Sequence, residues 1–430
     1  MSVADDVWLA ERAAEPGNRC CIVGAGPAGV MLGYLLARVG IPVVVIEKHA
    51  DFLRDFRGDT VHPSTLQLLH ELGLLQRFLE RPHQQFARLS ARIGDEEVDV
   101  ADFSHLPTAA KFLVVMPQSV FLGFLAAEAH RFPCFSIEMS TEATGLVADD
   151  GVIRGVTVRG PGGTAEIRAR LVIGADGRRS RLRELARLPV VDLGAPIDML
   201  WFRMRRRAED RVQPFGQFHD GRIMVMIDRG DYYQCGLVVP KGAFDGIRAA
   251  GLGAFRQLIA HTAPLLADRT VDVTSWEEVK LFTVSLDRLR TWHRPGLVCI
   301  GDAAHAMSPI GGVGINLAIQ DAVATANVLG GPLSRRELIT PAMLARVEER
   351  RRFPTCATQR LQMLFHRIVM RALAAPPRGG LPLPFRLLRR FPRLRRVPAR
   401  ILGLGFRPEH VRAIPPGVAT DACSPDGGYI

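Results

Sequence analysis

The sequence predicts an α/β fold with a mostly antiparallel β-sheet domain inserted into it and a helical C-terminal region. Three observations predict this. Residues 19–49 carry a strand, a glycine-rich turn, a helix and a second strand in succession. Residues 199–239 read almost wholly as strand, as in MLWFRMRR and GRIMVMIDRGDYYQCGLVVP. Residues 316–329 and 341–373 carry apolar positions at helical spacing.

The N-terminal unit is the most specific. Cys20 to Val23 form a short apolar run, read as a buried strand. Gly24, Ala25, Gly26, Pro27, Ala28 and Gly29 follow with G-x-G-x-x-G spacing. An apolar helical pattern runs from Val30 to about Val39, Gly40 stops it and Pro42 lies just beyond. Ile41 to Ile46 is a β-branched strand ended by Glu47. Together these make a Rossmann-like βαβ unit with an acid at the tip of its second strand. Gly24 allows the tight turn, Gly26 lets backbone approach a pyrophosphate, and Gly29 lets the helix sit close to the strand. The free N–H groups and partial positive charge of the helix start favour an anion. Glu47 is placed to accept bonds from two ribose hydroxyls. The motif alone does not distinguish FAD from NAD.

The remaining elements follow in order. Residues 48–62 read as a charged loop, and Pro63 opens a helix that Gly73 ends. Alternation over 86–103 predicts a hairpin turning at Gly94-Asp95. Phe112 to Met116 is a strand, and Gln118 opens the helix after it. Strands follow at 136–147 and 152–159, and 169–177 is a strand ending in Asp176. An amphipathic helix is expected over 242–262, strands over 280–284 and 296–300, and a helix from Asn316 to Leu329. The expected organisation is an N-terminal arm (1–17), a nucleotide-binding domain (18–187) with an excursion near 83–112 toward the substrate domain, and an inserted substrate-binding sheet (188–278). The nucleotide-binding part then returns with the C-terminal helices (279–375), and a basic Pro/Arg-rich tail ends the chain (376–430).

Composition sets limits on function. A chain of 430 residues is long enough for two cores. It contains no run of about 20 apolar residues. The first 17 residues lack an apolar core and read as an arm, not a signal peptide. Seven scattered cysteines, without Cys-x-x-Cys or Cys/His pairing, suggest free thiols, a reducing cytoplasmic setting and no metal site. The net charge of +11 is concentrated: residues 376–412 hold ten arginines and one acid, Glu409, a net of nine. The rest is close to neutral, so the charge does not mark a nucleic-acid binder.

Two further motifs narrow the ligand. Leu171-Val172-Ile173-Gly174-Ala175-Asp176-Gly177 places an acid at a strand end with Arg178, Ser180 and Arg181 beside it. Asp176 there is either a ligand contact or a cap for the helix that follows. Gly296 to Ala318 delivers Asp302 to a sheet edge and adds glycines 311, 312 and 314 before a helix. Such a helix start favours the negative charge of a reduced flavin.

In this order and at these separations, the three motifs resemble the FAD-dependent monooxygenases of the p-hydroxybenzoate hydroxylase type. The resemblance covers about residues 19–329. It implies that Gly24, Gly26, Ala28, Gly29 and Glu47 hold the ADP half of FAD, with Arg57 near the pyrophosphate. It implies that Gln118 and Asp302 touch the ribityl chain. Asp176 is implicated in FAD and NAD(P)H binding, while Pro309, Gly314, Ile315 and Asn316 line the flavin ring. It also implies NADPH or NADH as co-substrate without a second Rossmann unit, and O2 activation as a flavin C4a-hydroperoxide.

No catalytic acid or base is assigned. The expected substrate is a large, mainly apolar aromatic or polyketide-like molecule, because the inserted sheet carries few charges. His62, His219, Tyr232 and Tyr233 are candidate phenol partners, each more readily read as an ordinary polar residue. Met204, Met224 and Met226 read as core or pocket lining, and His305 as a loop-fixing residue. A flavin halogenase is disfavoured because Trp8, Trp201, Trp276 and Trp292 form no Trp-x-Trp pair. An FAD-dependent dehydrogenase or reductase and a non-enzymatic flavin- or lipid-binding protein are the remaining alternatives. The basic tail is expected to cover the protein's own acidic face, to make peripheral contact with a membrane, or to pack on a second subunit in a homodimer.

Overall fold

A computed structural model describes residues 19–53, 60–210, 215–374 and 381–412. The N-terminal arm and Arg57 lie outside the described residues. The central sheet has six strands in the order His293–Arg294, Leu297–Cys299, Leu171–Gly174, Cys20–Val23, Val43–Ile46 and Phe135–Glu138. All its pairs are parallel except the first. Parallel pairing sends the four inner strands the same way. Gly24, Glu47, Ala175-Asp176 and Gly301-Asp302 therefore emerge at one sheet edge. Helix Pro27–Ala37 is buried along nearly its whole length, as its all-round apolar sequence requires. It packs between the sheet and the long helix Gly314–Ser334. A separate three-stranded sheet, Glu142–Asp149, Val152–Gly160 and Gly163–Arg168, contributes to the core on the other face.

The second large sheet has seven strands. Its order is Lys280–Phe282, Ile197–Arg205, Tyr232–Pro240, Arg222–Asp228, Gly216–His219, Arg88–Ile93 and Glu96–Asp102. Every pair is antiparallel except Gly216–His219 against Arg88–Ile93. The hairpin at 88–102 turns at Gly94-Asp95 and extends this sheet. Lys280–Phe282 does not return to the nucleotide-binding part, as its position in the chain had suggested; it pairs with Met199–Trp201. Pairing across eighty residues of sequence leaves no local signal.

The helix expected from Asn316 begins at Gly314 and runs through Pro332 to Ser334. Residues 381–412 of the tail are described, and 383–404 are almost wholly helical. Leu383–Arg390, Pro392–Arg395 and Arg396–Leu404 lie against Glu96–Asp102, and Arg396–Leu404 also meets Pro63–Glu71. Arg395 Nη1 reaches Asp99 Oδ2 at 2.9 Å, and Arg389 pairs with Glu96. The tail thus docks on the protein's own acidic hairpin, the first of the three roles expected for it.

Two glycine contacts set how closely the first helix and strand approach. A Cβ on Gly29 would stand 1.9 Å from the Gly24 carbonyl oxygen. One on Gly24, at φ +105°, would stand 2.3 Å from the Ala175 oxygen. Gly29→Ala is expected to lower unfolding stability by roughly 2–3 kcal/mol through forced overpacking. Gly73→Ala, at φ +73° in open space, is expected to cost about 1 kcal/mol. Urea denaturation of both variants measures the difference; equal losses would show that the helix can move away without penalty.

Candidate functional site

One cavity of about 1830 Å3 extends from the shared edge of the parallel sheet to the face of the seven-stranded sheet. At the first end its wall includes Gly24, Gly26, Ala28, Glu47 and Gln118. Its middle carries Asp176, Arg178, Asp302, Pro309, Gly314 and Ile315. The far end is mainly apolar, with Met199, Trp201, Ile223, Val225 and Val238. The structure therefore brings together most of the residues expected at a cofactor site.

Their local roles differ in detail. Gly29 is packed under the turn and does not face the cavity. A Cβ on Gly26 would meet nothing within 4 Å, so that face of the turn is open to a ligand. Glu47 accepts from the Ala25 N–H at 3.0 Å and the His49 N–H at 3.1 Å, which braces the turn from the end of the second strand. Asp176 accepts from Ser180 Oγ at 2.5 Å and the Leu182 N–H at 3.1 Å. It therefore braces the start of helix Arg181–Leu185, whose N-cap is Ser180, while also facing the cavity. Desolvation raises its pKa, against these hydrogen bonds. Asn316 is on the helix that begins at the cavity, but its side chain is not on the cavity wall. It donates to Thr60 O and Gly312 O and accepts from the His62 N–H and Thr65 Oγ1. Its amide ties the glycine loop to the strand at Thr60.

Arg178 was visible in sequence only as a cation near Asp176. Its Nε and Nη2 donate to Asp302 Oδ2 at 3.2 and 3.1 Å, and its guanidinium lies 4.8 Å from the Phe282 ring centroid. Its Nη1 is buried with no hydrogen-bond partner. Such an atom normally has a partner. With the open face of Gly26, it fits a polar, extended ligand with an anionic centre. FAD has that character.

Behind the Gly301 turn is a buried ionic cluster. Asp321 Oδ2 accepts from the Gly301 N–H at 3.0 Å and lies 2.6 Å from His305 Nε2, while Oδ1 accepts from Arg351 Nε at 2.8 Å. Burial pushes the Asp321 carboxyl up, but His305 and Arg351 outweigh it and hold the group below its usual range. His305 is therefore engaged in holding the loop.

Of the four phenol-partner candidates, only His219 is on the cavity wall. Tyr233 is in the core under the sheet, where desolvation raises its pKa to about 12. Tyr232 stacks with Arg203. Burial lowers His62 to about 4, against a pull from the Leu402 carbonyl 2.6 Å from its Nδ1. Met204, Met224 and Met226 are core. At the cavity rim His261 Nε2 lies 3.0 Å, and His219 Nε2 3.8 Å, from Asp220 Oδ2. No metal site was expected from sequence, yet among the described residues this is a ligand set that a cation could use. The sequence reading also missed wall residues Phe365 and Ile368 of helix Pro341–Ala374 and Leu381 and Phe385 of the tail. Only their apolar character was visible.

The profile of the FAD binding domain family matches residues 18–359. The chain is 35% identical over 357 residues to 6-methylpretetramide 4-monooxygenase of Streptomyces rimosus, covering 81% of this chain and 84% of the relative. It is 30% identical to rifampicin monooxygenase of Streptomyces venezuelae, covering 70% of this chain and 61% of that longer relative. The fold matches solved p-nitrophenol 4-monooxygenase from Pseudomonas putida with a TM-score of 0.73 at 18% identity, over 91% of this chain and all of that one.

Removal of the buried carboxylate tests the cluster. Asp321→Asn leaves Arg351 buried beside a neutral amide and is expected to cost about 3–5 kcal/mol. A carboxyl with a lowered folded pKa contributes stability that is complete above its unfolded value of 3.8 and is lost as pH falls through the folded value. Urea midpoints should therefore fall more steeply below pH 4 for the native chain than for Asp321→Asn. Parallel curves would remove Asp321 from the acid response.

The family match spans most of the chain, the relatives are monooxygenases, and the strand ends converge on a cavity that fits FAD: the protein belongs to the FAD binding domain family and is an FAD-dependent monooxygenase of the p-hydroxybenzoate hydroxylase type.

Proposed function

We propose that the protein hydroxylates a large, fused-ring aromatic or polyketide-like molecule, using NADPH or NADH and O2. The carrying observation is that one continuous cavity joins the dinucleotide turn to the apolar face of the seven-stranded sheet. At about 1830 Å3 it exceeds the roughly 300–1,000 Å3 of an ordinary ligand site. It therefore has room for FAD and a multi-ring substrate together. The relatives named for acting on 6-methylpretetramide and rifampicin support a substrate of that size. The monooxygenase relatives favour this reading over a dehydrogenase or reductase.

Each part of the cavity has a task. The open backbone at Gly26 and the start of helix Pro27–Ala37 receive the pyrophosphate. Glu47 is placed for adenosine hydroxyls, and Gln118 and Asp302 for the polyol chain. Asp302 Oδ1 takes no bond from Arg178 and is placed to accept from that chain while Oδ2 keeps the guanidinium. Arg178 Nη1 is left to donate to a negative group. The loop from Pro309 to Ile315 supports the ring, and the start of helix Gly314–Ser334 favours negative charge there. FAD, when bound, supplies electron transfer from NAD(P)H and oxygen activation. Met199, Trp201, Ile223 and Val225 position an apolar substrate and exclude water.

The test is turnover of the holoenzyme with NADPH or NADH, air and a panel of aromatic compounds from single-ring phenols to tetracyclic polyketides. Expected is one oxygen atom gained per O2 consumed, on multi-ring compounds. Oxygen uptake released wholly as peroxide with every multi-ring compound would overturn the reading. Val225→Arg places a charge on the apolar wall and is expected to raise KM about tenfold or more while FAD content stays constant. An unchanged KM would move the substrate elsewhere.

A further inference from the structure

The docked tail has two faces. Leu381 and Phe385 turn inward onto the cavity wall, Ala399 is buried, and Leu402 meets His62 through its carbonyl. By contrast, Leu383, Leu387, Phe391, Leu394 and Val397 are 41–59% exposed. Leu383 and Leu387 stand four apart on one face of helix Leu383–Arg390, the chain leaves the helix at Phe391, and Leu394 and Val397 follow on the two short helical pieces beyond it. Arg386, Arg390, Arg393, Arg396 and Arg400 are interleaved with them and exposed. None has an acidic partner among the described residues, whereas Arg389 and Arg395 pair inward with Glu96 and Asp99. No acid occurs between residues 376 and 408.

This surface adjoins the cavity. Pro384 and Phe385 line the wall from the same helix that exposes Leu383 and Leu387, and half-exposed Phe365 and Ile368 line it from the neighbouring long helix. Apolar side chains are therefore continuous from the outer face of the tail into the substrate end.

We propose that this face docks on an anionic lipid surface and that the adjoining rim admits apolar substrate from the bilayer. Docking rests on the charge and the exposed stripe alone; delivery of substrate rests on the hydroxylase reading above. A lipid surface presents anionic head groups directly above an acyl boundary. Arginines bond the phosphates while the leucines and Phe391 enter that boundary. A protein partner would have to supply acids and apolar pockets in matching alternation. The contact is peripheral, since among the described residues no helix is long and apolar enough to cross a membrane.

Vesicle sedimentation of the FAD-loaded, full-length protein tests this without any turnover. The vesicles are phosphatidylcholine alone, or with roughly a third phosphatidylglycerol. Expected is about tenfold stronger binding to the anionic vesicles, weakened in about 0.5 M salt. Either Leu387→Ser with Phe391→Ser, or Arg390→Gln with Arg393→Gln and Arg396→Gln, should reduce it about tenfold. These positions lie off the cavity wall, and the visible flavin spectrum reports that each variant stays folded. Equal recovery in the supernatant with both vesicles, or variants that bind as the native chain does, would overturn the proposal. So would a native dimer that Leu387→Ser with Phe391→Ser converts to monomer in the absence of vesicle binding; the stripe would then be covered by a second copy. Failure of hydroxylation would leave this readout intact.

Discussion

The close backbone approach of Gly24, Gly29 and Ala175 is the constraint on which the cofactor half depends. Neither glycine can carry a Cβ without striking a carbonyl oxygen. The first helix therefore sits directly on the first strand, and the turn between them is pressed against the neighbouring strand end. With those two faces sealed, the face at Gly26 remains open. Parallel pairing of Leu171–Gly174, Cys20–Val23 and Val43–Ile46 then places Asp176 and Glu47 beside that opening. A cofactor site arises here from packing density as much as from chemistry.

The substrate half is built differently. Its sheet draws strands from three separate parts of the chain, 88–102, 197–240 and 280–282. One parallel pair, Gly216–Phe218 with Ala91–Ile93, joins the insert to the hairpin. One face of the sheet packs over helix Leu252–Thr262, where Tyr233, Met224 and Phe255 are buried. The opposite face includes Met199, Trp201 and Ile223 and is divided between core and cavity. Alternation along each strand decides which side chain serves which purpose.

The glycine loop between the halves is held from behind. Asp321 binds the Gly301 N–H, and Asn316 binds Thr60, His62 and Gly312. Arg351 also lies 3.8 Å from Glu409, so this residue of the tail belongs to the same buried cluster as the Gly301-Asp302 turn. The tail is part of the support for the site and part of its wall.

Sequence alone determined the dinucleotide unit, the order of its three motifs and the antiparallel character of the insert. Those properties live in local spacing: glycines where backbone must approach, β-branched runs ending in an acid, and apolar alternation. Only the tertiary structure decided that Lys280–Phe282 edges the substrate sheet and that Asn316 turns its amide away from the cavity. It also paired Arg178 with Asp302 and brought the basic tail onto Glu96 and Asp99. These are contacts between residues scores to hundreds of positions apart. Which partner wins there depends on burial and charge in the assembled core, and no local pattern encodes it.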